Sequence, residues 1–227
     1  MFDFRFYEIW REPLFLETLA KGCWNSLWLT IIGGILGFVF GLFLATMQDY
    51  KWHNAIRFPS VSFVEIIRNT PFIVQLFFVA FGLPLLLDYR WSFEASALLA
   101  MTLNFSAYFA EVIRAGLDNI PKSNIESAKA LGLGWYQTFF VISIPQGLGN
   151  MYPSLVSQFI FLFLTTGLIS EIGVEDLTWA GRFVADRNFR DFEVYLVLTM
   201  LYLIMSLMLR GILTLIGNKA FKWKAFV

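Results

Sequence analysis

The chain has 227 residues, is 58% hydrophobic and carries 26 Phe and 8 Trp. Soluble domains are usually about 45–50% apolar, so this excess, with a mean hydropathy of +0.64, points to a bilayer. The 17 basic and 17 acidic residues cancel, which leaves no basic surplus for nucleic acid. Cys23 and His53 are the only residues of their kinds, which excludes an intrachain disulfide, a Cys-only metal site and a two-histidine zinc motif; both read as bystanders.

Residues 1–21 mix Phe2, Phe4, Phe6, Ile9, Trp10, Leu14 and Phe15 with acidic and basic side chains. No apolar core follows closely on a basic start, so this is not a typical cleaved signal. The segment is expected to lie at the membrane interface or to form a disordered tail.

The first span is expected over about Cys23 to Met47, long enough at roughly 20 residues per crossing. Gly33, Gly37 and Gly41 share one helix face, where a neighbouring backbone approaches closely or glycine is merely tolerated. A loop with Lys51, His53, Arg57 and Pro59 leads to a second span, about Ser62 to Leu87. Pro71 removes a backbone hydrogen bond inside it and predicts a bend near Thr70. A third span covers about Ala95 to Gly116, a fourth about Met151 to Ile169 and a fifth about Phe192 to Ile216. A charged segment, residues 170–191, separates the last two, and Lys219, Lys222 and Lys224 mark the tail. The expected fold is an all-α integral membrane protein with about five transmembrane helices and a two-helix loop between the third and fourth. Its parts are an interfacial segment 1–21, a membrane domain 22–218 containing a coupling loop of about 117–145, and a basic tail 219–227.

Glu65 and Arg68 lie three residues apart near one end of the second span, as do Glu111 and Arg114 in the third. Such spacing shares a helix face and allows mutual neutralisation, and ionisable groups at this depth are costly unless paired. They either brace the inner end of a transport path or form a static ion-pair cluster. Gln75, Asn104 and Gln158 fall near mid-span. A carboxamide both donates and accepts, so these three suit a zwitterionic cargo or act as interhelical glue.

The loop has the most structured sequence. Ser123 and Glu126 have capping-box spacing, and Ala128, Ala130 and Leu131 favour helix. Gly132 and Gly134 supply a stop and a turn. A second run from Tyr136 to Ile144 ends at Pro145, which opens a following helix but breaks a preceding one.

Glu126, Ser127 and Ala128, then Gly132, then Ile142, Ile144 and Pro145 keep the spacing of a known pattern. It resembles the cytoplasmic "EAA" loop of ABC-importer membrane subunits, with Ser127 in place of Ala and Ile144 in place of Leu. The stretches Glu65 to Pro71, Glu111 to Gly116 and Ile172 to Leu177 are similar to those of polar amino-acid permeases in that superfamily. The resemblance implies that Glu126, Ser127, Ala128, Leu131, Gly132 and Gly134 dock onto a separate ATPase. It also implies a second permease subunit, two ATPases carrying ATP and Mg²⁺, a periplasmic or lipid-anchored solute-binding protein, and a polar amino acid as cargo. The place implied is a bacterial inner membrane, with the N-terminus outside and the C-terminus inside; the Lys and Arg balance leans the same way. No phosphate-binding loop of the form G-x-x-x-x-G-K-[ST] occurs, so this chain is expected to be non-catalytic, with ATP hydrolysis by a partner. The alternative is an ion-coupled secondary transporter or channel subunit, which asks for acidic residues deep in mid-span.

Overall fold

The computed structural model describes residues 4–48, 53–88 and 91–222, and every regular element among them is helical. Lys51 and Lys224 lie outside the described residues. A short α1 (Tyr7–Arg11) precedes α2 (Pro13–Met47). Pro13 opens α2 at the first helical position, where a missing N–H costs nothing. The first span therefore begins well before Cys23, and residues 13–21 belong to its helix. His53 caps α3 (Asn54–Arg68), its Nδ1 accepting the Ala55 N–H at 3.2 Å.

The expected bend at Thr70 is a full break. α3 and the helical run Phe72–Leu87 meet at 107°. That run consists of α4 (Phe72–Phe77), a π-helical turn (Phe78–Gly82) and α5 (Leu83–Leu87). The Asn69 amide donates to the Glu65 carbonyl at 2.7 Å and helps end α3. Pro71, extended at φ −64° and ψ 136°, starts α4 in a new direction. Gln75 Nε2 ties the corner by donating to Thr70 Oγ1 at 2.6 Å and Thr70 O at 3.2 Å. Four helices are long and apolar enough to cross a membrane, or five when the bent pair is one crossing.

α6 (Phe93–Asp118) matches the expected third span. After α7 (Lys122–Ala130), one helical run extends from Trp135 to Ile172: α8 (Trp135–Gln137), a π-helical turn (Thr138–Ser143), α9 (Ile144–Thr165) and a 3₁₀ turn (Thr166–Ile172). The expected break at Pro145 is therefore absent. A π turn ends two residues before Pro145, and another two before Pro84. The wider turn accommodates a ring that lacks an N–H and would clash with the preceding α-helical turn. α10 (Leu177–Asn188) and α11 (Asp191–Ala220) complete the chain.

Two compact units divide the residues. The first comprises Met1–Ile35, Thr70–Thr102 and Phe159–Leu209. In its core Ile9, Phe15 and Leu19 pack with Leu177, Val184 and Leu198. The N-terminal helices are thus held by apolar burial, which removes the disordered-tail alternative for them. Arg190 adds contacts to Glu8 at 3.9 Å and Glu193 at 3.8 Å.

The second unit comprises Leu36–Asn69, Leu103–Gln158 and Arg210–Val227. Here Gly41 of α2 sits at a close helix seam. A Cβ on Gly41 would stand 2.7 Å from Phe109 Cβ and 2.8 Å from Ser106 O. In the first unit a Cβ on Gly33 would make only ordinary contact, at 3.6 Å from Leu98 and Met101. Gly41→Val is expected to destabilise by about 1–3 kcal/mol through overpacking, read as a lower Tm in detergent, whereas Gly33→Ala leaves Tm nearly unchanged.

Candidate functional site: the glycine elbow and its neighbours

α7 begins two residues earlier than its sequence signal suggests. Pro121 is the N-cap, and no side chain caps this end. Ser123 already lies inside the first turn, so the expected Ser123–Glu126 capping box does not form. A back-reaching side chain occurs instead at α8, where Gln137 Oε1 accepts the Gly134 N–H at 3.0 Å.

The end of α7 closes as a Schellman motif. Gly132 N–H donates to Lys129 O at 2.9 Å and Leu133 N–H to Ala128 O at 3.1 Å. This requires a left-handed residue, and Gly132 supplies it at φ +73°. Ala128 is 1% exposed and anchors the helix, while Glu126, Ser127, Leu131, Gly132 and Gly134 face outward. Leu131 is 79% exposed, and nothing lies within 4 Å of a Cβ placed on Gly132. Tyr136, Phe140 and Val141 are also exposed just beyond the elbow. Asn124 Nδ2 donates to Gln146 Oε1 at 2.7 Å and ties α7 to the start of α9. The tip thus presents an apolar side chain and open backbone at the surface.

The boundary charges join across helices. Arg68 pairs with Glu111 at 3.3 Å, not with Glu65, and its guanidinium lies 5.9 Å from the Tyr108 ring centre. Glu65 accepts from Asn69 Nδ2 at 3.2 Å. Glu111 also takes Arg114, as expected, and Arg114 continues to Asp118 at 3.0 Å. The end of α3 thus lies beside α6, which one-dimensional spacing does not reveal. Asp118 and Tyr108 were not expected members; Asp118 lies four residues from Arg114, a readable helical pairing distance.

The mid-span carboxamides differ in setting. In the first unit, Gln75 is half-buried with its Nε2 committed to Thr70. In the second, Asn104 is 3% exposed and Gln158 is half-buried.

A buried acid in the first unit escaped sequence analysis. Asp176 is fully buried and caps α10, accepting the Trp179 N–H at 2.8 Å and the Tyr202 hydroxyl at 3.3 Å. Tyr202 and Thr178 share a further bond of 2.8 Å. An Asp directly before a helical apolar run is the signal that would have found the cap. Burial pushes its carboxyl from 3.8 up to about 6, against the lowering effect of these hydrogen bonds and of Arg182. Between those values the folded chain binds more proton than the unfolded chain, so stability falls as pH rises. The stabilisation is fully present below about pH 4 and lost as pH passes about 6. Asp176→Asn keeps the cap and is expected to flatten this part of the Tm–pH profile in detergent, a difference on the order of 2–3 kcal/mol across it.

Long apolar helices with an exposed elbow between two of them define a multi-span membrane protein. The chain belongs to the family described as binding-protein-dependent transport system inner membrane component, whose profile matches residues 37–222. It is 34% identical over 199 residues to the glutamine transport system permease protein GlnP of Escherichia coli (strain K12), covering 87% of this chain and 90% of that one. It is 35% identical over 191 residues to the probable glutamine ABC transporter permease protein GlnP of Bacillus subtilis (strain 168), covering 82% and 86%. The crystal structure of an amino acid ABC transporter with histidines superposes with a TM-score of 0.86 at 28% identity, over 96% of this chain and 100% of that one. An inward-facing MetNI methionine ABC transporter shares the fold, with a TM-score of 0.78 at 18% identity over 92% and 99%. The chain is therefore a non-catalytic ABC permease subunit, and the secondary-transporter alternative falls away.

Proposed function

We infer that this subunit imports a polar amino acid, with glutamine the first cargo to test, by alternating access powered by a separate ATPase. The observation that carries this reading is the exposed elbow around Gly132 on a chain of this family. The elbow faces the cytoplasm, the N-terminus lies outside and the C-terminus inside. Glu126, Ser127, Leu131, Gly132 and Gly134 contact the ATPase, and Ala128 seats the helix that carries them. ATP and Mg²⁺ bind on that ATPase. A second permease subunit, either another copy or a paralogue, completes the path, and a solute-binding protein delivers cargo near residues 170–191.

Differential ATP binding to two conformations supplies the drive, since a ligand shifts an equilibrium only by its difference in affinity. Closure of the ATPases pulls the elbows, and the Schellman-closed α7 transmits the pull as a rigid body. The Arg68–Glu111–Arg114–Asp118 chain braces the helix ends that receive it. Gln75, Asn104 and Gln158 are the proposed cargo contacts, and residues 1–21 flank the membrane surface.

Proteoliposomes holding the purified transporter test this reading. Uptake of radiolabelled glutamine is expected to require ATP inside and binding protein outside, and to be insensitive to a protonophore. Uptake that follows the proton gradient without ATP would refute it. Asn104→Leu and Gln158→Leu are expected to raise the transport KM roughly tenfold, the scale of one lost polar contact of about 1.4 kcal/mol, without loss of the ATPase on purification.

A further inference from the structure

The second unit contains a cavity of about 750 Å³ beneath the elbow, and Glu126 is its one lining residue among the proposed ATPase contacts. Its walls are the end of α2 at Ala45, the end of α6 at Leu117 and Asp118, and the face of α7 beneath the elbow. Arg57, Lys122 and Lys129 reach it as exposed cations with no ion-pair partner among the described residues. Arg114 and Asp118 also line it but neutralise each other at 3.0 Å, and Glu126 is the remaining acid. Three uncommitted positive charges thus face one uncommitted negative charge.

The rest of the lining is apolar and aromatic. Ile120, Leu133 and Phe139 contribute to it, and Trp135 stacks on Phe139 at 5.1 Å with ring planes 8° apart. The volume far exceeds what a bare inorganic anion fills. Two apolar membrane helices end at its wall, which sets the cavity at headgroup depth, where indole rings also concentrate. A cationic rim over an apolar floor at that depth matches a lipid with an anionic headgroup and acyl chains.

We propose that this cavity holds an anionic phospholipid, its phosphate among Arg57, Lys122 and Lys129 and the start of its chains against the apolar lining. A bound lipid would bridge α2, α6 and α7 and set how stiffly the elbow is mounted.

Native mass spectrometry of the assembled transporter tests this after extraction from vesicles of equal phosphatidylglycerol and phosphatidylcholine. The wild type is expected to retain phosphatidylglycerol selectively. Each of Arg57→Gln, Lys122→Gln and Lys129→Gln is expected to weaken retention roughly fivefold, and the triple variant roughly a hundredfold. Thermal shifts supply a second measurement on each single variant, so a triple variant that fails to assemble does not decide the matter. Added phosphatidylglycerol should raise the wild-type Tm, and phosphatidylcholine or millimolar inorganic phosphate should not. Equal retention of both lipids, retention unaffected by the single variants, or a shift reproduced by phosphate alone overturns the proposal.

Discussion

Gly132→Glu is expected to abolish co-purification of the ATPase and to cut ATP-dependent uptake by at least about a hundredfold. Two separable effects produce this. A non-glycine residue in the left-handed region costs about 1–2 kcal/mol, and Gly132 sits at φ +73°. That strain loosens the Schellman closure holding Leu131 at the tip. A Cβ added at Gly132 meets nothing within 4 Å among the described residues. On the proposed reading, the main penalty of the added charge therefore arises at the contact with the ATPase. Burying an unpaired charge in a protein contact costs several kcal/mol, which accounts for the expected hundredfold loss. Gly132→Asn separates the effects, because Asn tolerates the left-handed region and adds no charge. It should retain the ATPase and most uptake. Equal failure of both variants would place the effect in the backbone alone; unchanged association for Gly132→Glu would remove the elbow from the interface.

Glu111→Gln is expected to be the most damaging neutralisation at the membrane boundary, lowering stability by about 1–3 kcal/mol. Glu111 bridges two guanidiniums, with Arg68 on one side and Arg114 on the other. Removing its charge takes the carboxylate from Arg68 and leaves Arg114 with Asp118 alone. The lower end of the range applies because the Glu111 side chain is 29% exposed, so solvent screens part of the effect. Glu65→Gln should be the milder change, because Glu65 accepts from the Asn69 amide and acts on Arg114 only through space. A double-mutant cycle on Arg68 and Glu111 should show a coupling of about 0.5–1 kcal/mol, and one on Arg68 and Glu65 close to none. Tm in detergent checks all of these. A silent Glu111→Gln, or coupling between Arg68 and Glu65, contradicts the cross-helix chain.

Local chemistry with a single solution was readable in the sequence. Gly132 marked the end of a helix, Pro71 marked a bend that is in fact a full break, and runs of apolar residues marked the spans. Helix ends were less readable where polar residues continue a helix. Pro13 opens α2 in a charged stretch, and the helix through Pro145 persists because a π turn absorbs the ring. Neither case appears in hydropathy. Pairings set by tertiary geometry were also hidden. The spacing placed Glu65 with Arg68, but Arg68 pairs across helices with Glu111. Asp176 was visible as part of a familiar segment, yet its burial depends on contacts with α2 and α11, distant in sequence. Gly22 packs against the Asp176 carbonyl, and Tyr202 donates to its carboxylate.

The most direct measurement places a cysteine at Leu131 in a Cys23→Ser background and labels it with a membrane-impermeant maleimide. Labelling is expected only in inside-out vesicles, with strong protection once the ATPase is bound. Labelling from outside intact cells, or labelling indifferent to the ATPase, would contradict a cytoplasmic elbow gripped by a motor subunit.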